Sequence, residues 1–353
     1  MFVRGWIAAL VTVAALATGC HHRIDCNGPG NTSDSCSARP PASVSEAHAL
    51  EQPSALAAGR GVLFIADDSR NTVFARQPDG QIHPVAGTGL RGFTGDGRLA
   101  TTARLNDPSG MVYDPRTQTL FVADTGNNRI RAINRSGSIH TVVGSGRAGW
   151  VPSGTPALAA DLTAPTAVAL SPDGRLYIAA GLEVLRLDRD GRLTKIAGNR
   201  HGAGIAGADS PAGDASTDSA NGLAFDAAGN LYLTGSATKG LLVITPAGRM
   251  HVLCATCLYP RGNAGIVTAP NGSVLVMNTE QIYRYNSPRR HSLLINFERH
   301  KPVEGVTGIA PTGLAVTPSG VIYIDTNENG GFTNATTLIK ITPRGRLTVV
   351  WRR

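Results

Sequence analysis

Apolar residues in this chain come in short bursts separated by turn residues, and no stretch keeps a helical period. The pattern is clearest over residues 105–146, LNDPSGMVYDPRTQTLFVADTGNNRIRAINRSGSIHTVVGSG. Met111–Tyr113, Leu120–Ala123, Arg129–Ile133 and Ile139–Val143 read there as four strands. Between them, Asp114-Pro115, Asp124-Thr125-Gly126-Asn127-Asn128 and Arg135-Ser136-Gly137 supply the residues that close hairpins. One four-stranded sheet cannot bury both of its faces alone, so the pattern should recur.

It recurs along the chain. The apolar centre of the second strand returns as Phe64, Phe121, Tyr177, Tyr232, Leu275 and Tyr323. A strand start precedes each: Pro53-Ser54-Ala55, Pro108-Ser109-Gly110, Pro165-Thr166-Ala167, Ala220-Asn221-Gly222, Asn263-Ala264-Gly265 and Pro311-Thr312-Gly313. A fourth-strand signature follows as GQIHPVAG from Gly80, GSIHTVVG from Gly137, GRLTKIAG from Gly191 and GRMHVLCA from Gly248, and GRLTVVW from Gly345 ends the chain. Sheets repeated at this spacing predict an all-β, six-bladed β-propeller of four-stranded antiparallel blades over 53–353. The 42 glycines, 21 prolines and 16% charged residues agree with a turn-rich, all-β chain. Since Gly345–Trp351 completes the sixth blade, ring closure should not borrow a strand from the N-terminus.

DTGNNRIRAI, with GFTGDGRLATTARLNDPSG before it and GSIHTVVGSG after it, resembles the NHL repeat of bacterial secreted proteins. The best-matching part covers about 90–146, and the looser register covers 53–351, with the fifth copy (263–297) the most degenerate.

The N-terminus predicts export. Arg4 and the apolar run Trp6–Ala17 make a signal peptide, residues 1–20, too short to span a bilayer core needing ~20 residues. It ends in Leu16-Ala17-Thr18-Gly19-Cys20, which resembles a lipobox with its leucine one residue early, so Cys20 is the expected site of acylation. The expected location is the extracytoplasmic face of the cell membrane, held by lipid without spanning it. Residues 21–52, rich in Ser, Pro, Gly and Ala, read as a flexible tether with a mean reach of roughly 30 Å. The pair His21-His22 within it is read as incidental. Cys26, Cys36, Cys254 and Cys257 are candidates for two disulfides, because an exported chain oxidises its cysteines.

The formal charge of +8 for the whole chain, from 33 Lys and Arg against 25 Asp and Glu, suits anionic lipid headgroups or cell-wall polymers. Nucleic acid is a poor partner, since the basic residues are scattered with no aromatic stripe between them.

Function on a propeller sits on loops, and the long fourth-to-first crossovers (87–107, 144–164, 198–219, 254–262 and 298–310) share one face with the first-strand starts. The ring expected at the channel mouth there is Ser54, Ser109, Thr166, Asn221, Ala264 and Thr312. Such a ring can bind a sugar or peptide, or hold ordered water. Arg91, Phe93 and Trp150 on the crossovers are candidate contacts that could equally fold their loops onto the blades. No His, Asp or Glu falls in the ring, so no metal site or carboxylate pair is expected. His83, His140 and His251 share one fourth-strand position at the rim, where they cannot converge. Asp67 and Asp124 end second strands, and they read as turn caps paired with a neighbouring blade's arginine rather than as ligand contacts. Asp96 and Asp214, in similar Gly-rich turns, give a weak signal for Ca²⁺, which needs six to eight oxygens.

These readings favour a non-enzymatic, monomeric binding module that captures a cell-envelope protein, peptide or glycan on its long-loop face. The NHL resemblance implies an alternative. Related propellers include metal-dependent lactonases and lyases that use the central channel, which would need His or carboxylate ligands around a divalent ion.

Overall fold

A computed structural model describes residues 50–59, 61–199, 210–215, 217, 219–235, 240–254, 265–278, 281–297, 310–328 and 335–352. They form six antiparallel sheets, each built from four consecutive strands. In blade 1 these are Pro53–Ala58, Leu63–Asp67, Thr72–Arg76 and Ile82–Ala86; in blade 2, Pro108–Asp114, Thr119–Asp124, Arg129–Ile133 and Ile139–Val143. Blade 3 comprises Pro165–Leu170, Leu176–Ala180, Glu183–Leu187 and Arg192–Ala197; blade 4 comprises Ala220–Phe225, Leu231–Gly235, Leu241–Ile244 and Arg249–Cys254. Blade 5 runs Ile266–Thr268, Val274–Met277, Gln281–Ser287 and Arg290–Asn296, and blade 6 runs Ala310–Val316, Ile322–Glu328, Ala335–Ile341 and Leu347–Arg352. Every first strand packs against the first strands of the blades before and after it, with blade 6 meeting blade 1, so the ring closes. The sixth blade is complete without an N-terminal strand, as expected. In blade 2 the third and fourth strands match their predicted bounds, while the first two extend further in both directions.

The core lies in the six seams between blades. Side chains alternate faces along a strand, and both faces of a blade are covered. In Leu63–Asp67, Leu63 and Ile65 enter the seam with blade 6, while Phe64 and Ala66 enter the seam with blade 2. That explains the aromatic at the centre of the second strand, which reaches across to the next blade. Phe64 stacks on Tyr113 at 5.6 Å, Tyr177 meets Phe225 edge-on at 4.7 Å, and Tyr232 meets Tyr285 at 5.9 Å. Leu50, only 1% exposed, fills the closing seam with Ala315 and Leu338. The packed body therefore begins inside the segment read as a tether.

The crossovers into blades 2, 3 and 4 are not free loops. Each lays down a short alanine tile across its seam: Ala100–Thr102, Ala157–Ala159 and Ala212–Asp214 are 3-10 turns. Ala100 O accepts from Gly87 N at the end of one blade's outer strand, and Ala100 N donates to Gly137 O in the next blade's outer turn. The same pair of bonds is made by Ala157 (with Gly144 and Gly191), and in the third seam it is shared between Ala212 (with Gly248) and Ala215 (with Gly198). Thr155–Pro156 and Ser210–Pro211 add a fifth strand to the outer edges of blades 3 and 4, which covers an edge otherwise open to pairing.

Candidate functional site

The first strands surround a central channel of about 830 Å³. At its mouth five of the ring positions sit in a β-bulge: the register with the second strand slips between Pro53 and Ala55, Pro108 and Met111, Pro165 and Ala167, Ala220 and Gly222, and Pro311 and Gly313. A bulge turns a side chain out of the pleat, and here it turns the hydroxyl toward the next blade. Ser54 Oγ donates to Pro108 O (2.8 Å), and Thr166 Oγ1 donates to Ala220 O (2.8 Å). Thr125 Oγ1 donates to Pro165 O (2.7 Å) and meets Ser109 Oγ at 2.6 Å, with Thr166 O 3.3 Å from Ser109. The small residue after the ring position is required by this closeness. A Cβ at Gly110 would stand 2.4 Å from Thr166 O. Ser54, Ser109, Thr166 and Asn221 all line the channel. Ala264 and the side chain of Thr312 lie outside the described residues.

A hydroxyl has one proton to donate, and at Ser54, Thr125 and Thr166 it goes to the neighbouring strand. What these groups offer the lumen is lone pairs.

Outside the ring, Asp68 adds a carboxylate to the channel lining. It follows the second strand of blade 1 and is held there by Asp68 N donating to Gln52 O (3.3 Å). Burial, with repulsion from Asp67 and Asp107, pushes its carboxyl above the ordinary range against backbone hydrogen bonds from Ser69 and its own amide. Its Oδ1 is buried and has no hydrogen-bond partner among the described residues. The channel's other end presents the opposite case at Asp114. Burial alone would raise its carboxyl, but hydrogen bonds from Arg116 N (2.9 Å), Thr117 Oγ1 (3.0 Å) and Arg116 Nε (3.3 Å) hold it below the ordinary range. Between the two ends the wall is largely apolar, with Met111, Val112, Val168, Leu223, Ile266 and Leu314.

The remaining candidates take structural positions. Asp67 accepts from the backbone amides of Gln52 (3.2 Å) and Arg70 (3.2 Å). Asp124 accepts from Asn106 N (2.8 Å), Asn127 Nδ2 (2.9 Å) and Arg131 Nη1 (3.1 Å). Arg131 belongs to Asp124's own blade, which corrects the expected pairing with a neighbour. This arginine is fully buried, and its other nitrogen donates to Asp96 (2.8 Å), the residue of the weak calcium signal. Phe93 lies against Arg129 (3.8 Å) and Arg131 (4.9 Å), so it folds its loop down onto this network. Trp150 does the same with Lys195 of blade 3 at 4.9 Å. Arg91 is exposed and stands 3.7 Å from Asp107. His83, His140 and His251 lie on outer strands of three different blades. Among the described residues no three His, Cys, Asp or Glu side chains come together to hold a metal ion. Cys254 ends its strand half-buried, while Cys20, Cys26, Cys36, Cys257 and the side chain of Asp214 lie outside the described residues.

A family model for the teneurin NHL domain matches residues 73–256, just over half of the chain. The chain belongs to that family. It is 32% identical over 158 residues to Teneurin-m of Drosophila melanogaster, covering 39% of this chain and 6% of that protein. It thus spans a small part of the length of the teneurin it matches. The propeller is also similar to a streptogramin B lyase (TM-score 0.55, 11% identity, 87% of this chain and 84% of the other). A gluconolactonase from Xanthomonas campestris compares similarly (TM-score 0.52, 16% identity, 79% and 84%). At such identities the likeness is one of fold.

Proposed function

We propose that this NHL propeller is an extracytoplasmic binding module, held at the membrane through Cys20, that captures a ligand at its channel mouth by a protonated amine. The amine of a cell-envelope peptide, at its N-terminus or on a lysine, has the required chemistry. One observation carries the reading: Asp68 is a half-buried carboxylate that lines an apolar-walled channel, and its buried Oδ1 has no hydrogen-bond partner among the described residues. The Ser54 and Thr166 hydroxyls that line the same channel already donate to neighbouring backbone carbonyls. An ammonium brings three donors and no acceptor, so it complements such a mouth, and an attached apolar group gains from the wall below. Buried acceptors left unmatched cost stability, and a ligand that satisfies them recovers that cost on binding.

Hexylammonium, titrated by calorimetry, is the probe. The intact chain should bind it, with affinity rising from butyl- to hexylammonium by at most about 0.8 kcal/mol per CH₂. Asp68→Asn should abolish the heat. Equal binding by the variant would remove Asp68 from the site. A metal-dependent lyase or lactonase mechanism finds no matching ligand cluster among the described residues.

A further inference from the structure

The face opposite the mouth carries the third-to-fourth turns, and its charge is unevenly distributed. In blades 2 and 3 three of its arginines pair with carboxylates, Arg116 with Asp114 (3.3 Å), Arg175 with Asp173 (2.9 Å) and Arg186 with Asp188 (2.6 Å), while Arg135 and Arg189 make no ion pair among the described residues and Asp188 and Asp190 flank Arg189. Blades 5 and 6 present Arg289, Arg290, Lys340, Arg344 and Arg346 on and beside those turns, and none of the five makes an ion pair among the described residues. The carboxylates described in blades 4 to 6 are Asp226 and Asp325, both buried, and Glu328, at the mouth end of its strand. Apolar groups stand among the cations: Leu293 is 47% exposed on the outer strand of blade 5, and Pro343 is exposed in the turn of blade 6.

We infer that this basic arc is a docking surface for a bilayer rich in anionic phospholipid. Like charges kept together without counter-charges destabilise a fold slightly, and a negatively charged surface relieves them. The arc follows the outer turns of successive blades and lies away from the channel, so it presents a broad front of cations to a plane of phosphates. Leucine and proline beside guanidiniums suit the interface, where apolar tips enter the headgroup layer and the charges stay at the phosphates. Docking through this face leaves the channel mouth open to the medium. The inference requires neither acylation of Cys20 nor the Asp68 site, and each can fail without the other.

Flotation with vesicles tests it, using the full chain carrying Cys20→Ala so that no acyl chain contributes. Binding to phosphatidylcholine vesicles containing phosphatidylglycerol, weakened by salt, is the expected result, with none to phosphatidylcholine alone. Near the surface each cation contributes on the order of a fivefold change. Reversing four of them in R289E/R290E/R344E/R346E should therefore weaken binding on the order of 100-fold or more, with an unchanged melting temperature. The control R135E/R189E, on the same face of blades 2 and 3, should stay near the parent. The inference is overturned if the parent ignores phosphatidylglycerol, if the quadruple variant binds like the control, or if soluble polyphosphate binds the arc while vesicles do not.

Discussion

Asp68 and Asp114 stand at opposite ends of one channel and titrate in opposite directions, and the difference lies in their donors. Asp114 receives two side-chain donors and a backbone amide, whereas Asp68 keeps a bare oxygen. A carboxyl whose folded pKa is raised binds more protons folded than unfolded, so stability falls as pH rises from its ordinary value through the raised one. For Asp114, held low, stability is present above the ordinary value and is lost as pH falls through the folded one. Asp68→Asn should therefore leave the protein as stable or more stable near neutral pH, and remove the decline that Asp68 contributes; urea unfolding across the acid range measures this. A clear loss of stability near neutral pH would mean that the carboxylate has a partner. The position is hard to read from the sequence because the first-strand repeat that marks the ring does not include it. Asp68 comes instead from the residue after the acid that ends a second strand. Its counterpart in blade 2 is Thr125, whose hydroxyl meets Ser109 and donates to Pro165 O, and that second repeat position is the available signal.

The crossovers carry a repeat of their own. Ala100 and Ala103, Ala157 and Ala160, and Ala212 and Ala215 recur three residues apart ahead of three successive first strands, and all six are buried. This Ala-x-x-Ala spacing was visible in the sequence, but long segments rich in Gly and Pro read as free loops when only strand periodicity is sought. Their backbones complete the hydrogen bonding of two blades at once, and their methyls fill the seam, so there is no room for a larger group. Ala160→Leu should cost about 1–3 kcal/mol by overpacking, measured by urea denaturation, while the same change at the exposed Leu158-flanking position Ala159 should cost little. The strands themselves were legible because each is a short apolar burst bounded by turn residues, and only their ends were misjudged, where pairing continues past the apolar core into Pro108 and Asp124.

Over the whole molecule, six seams share the burial that a globular domain concentrates in one core, and closure depends on the blade 6 to blade 1 seam where Leu50 sits. Blade number and closure could be read from the register of repeats, since a sheet built from consecutive strands shows its phase directly. The uneven charge of the lower face was not apparent in a total of +8, because the arginines are scattered in sequence and gathered only by the ring. Membrane attachment belongs to this scale as well. Cys20→Ala should shift the protein from tightly bound to salt-extractable membrane association, read by fractionation at low and high salt; tight association that survives both would show that another segment anchors it.

Under the proposed function, Asp68 receives a cation. Its carboxyl carbon can be followed by NMR in protein labelled at aspartate, assigned by Asp68→Asn, and titrated with and without hexylammonium. Its pKa should lie above the ordinary aspartate range in the free protein and fall when the amine is added, because an ammonium favours the ionised form. An Asp68 that titrates as ordinary aspartate and does not respond to the amine would contradict it.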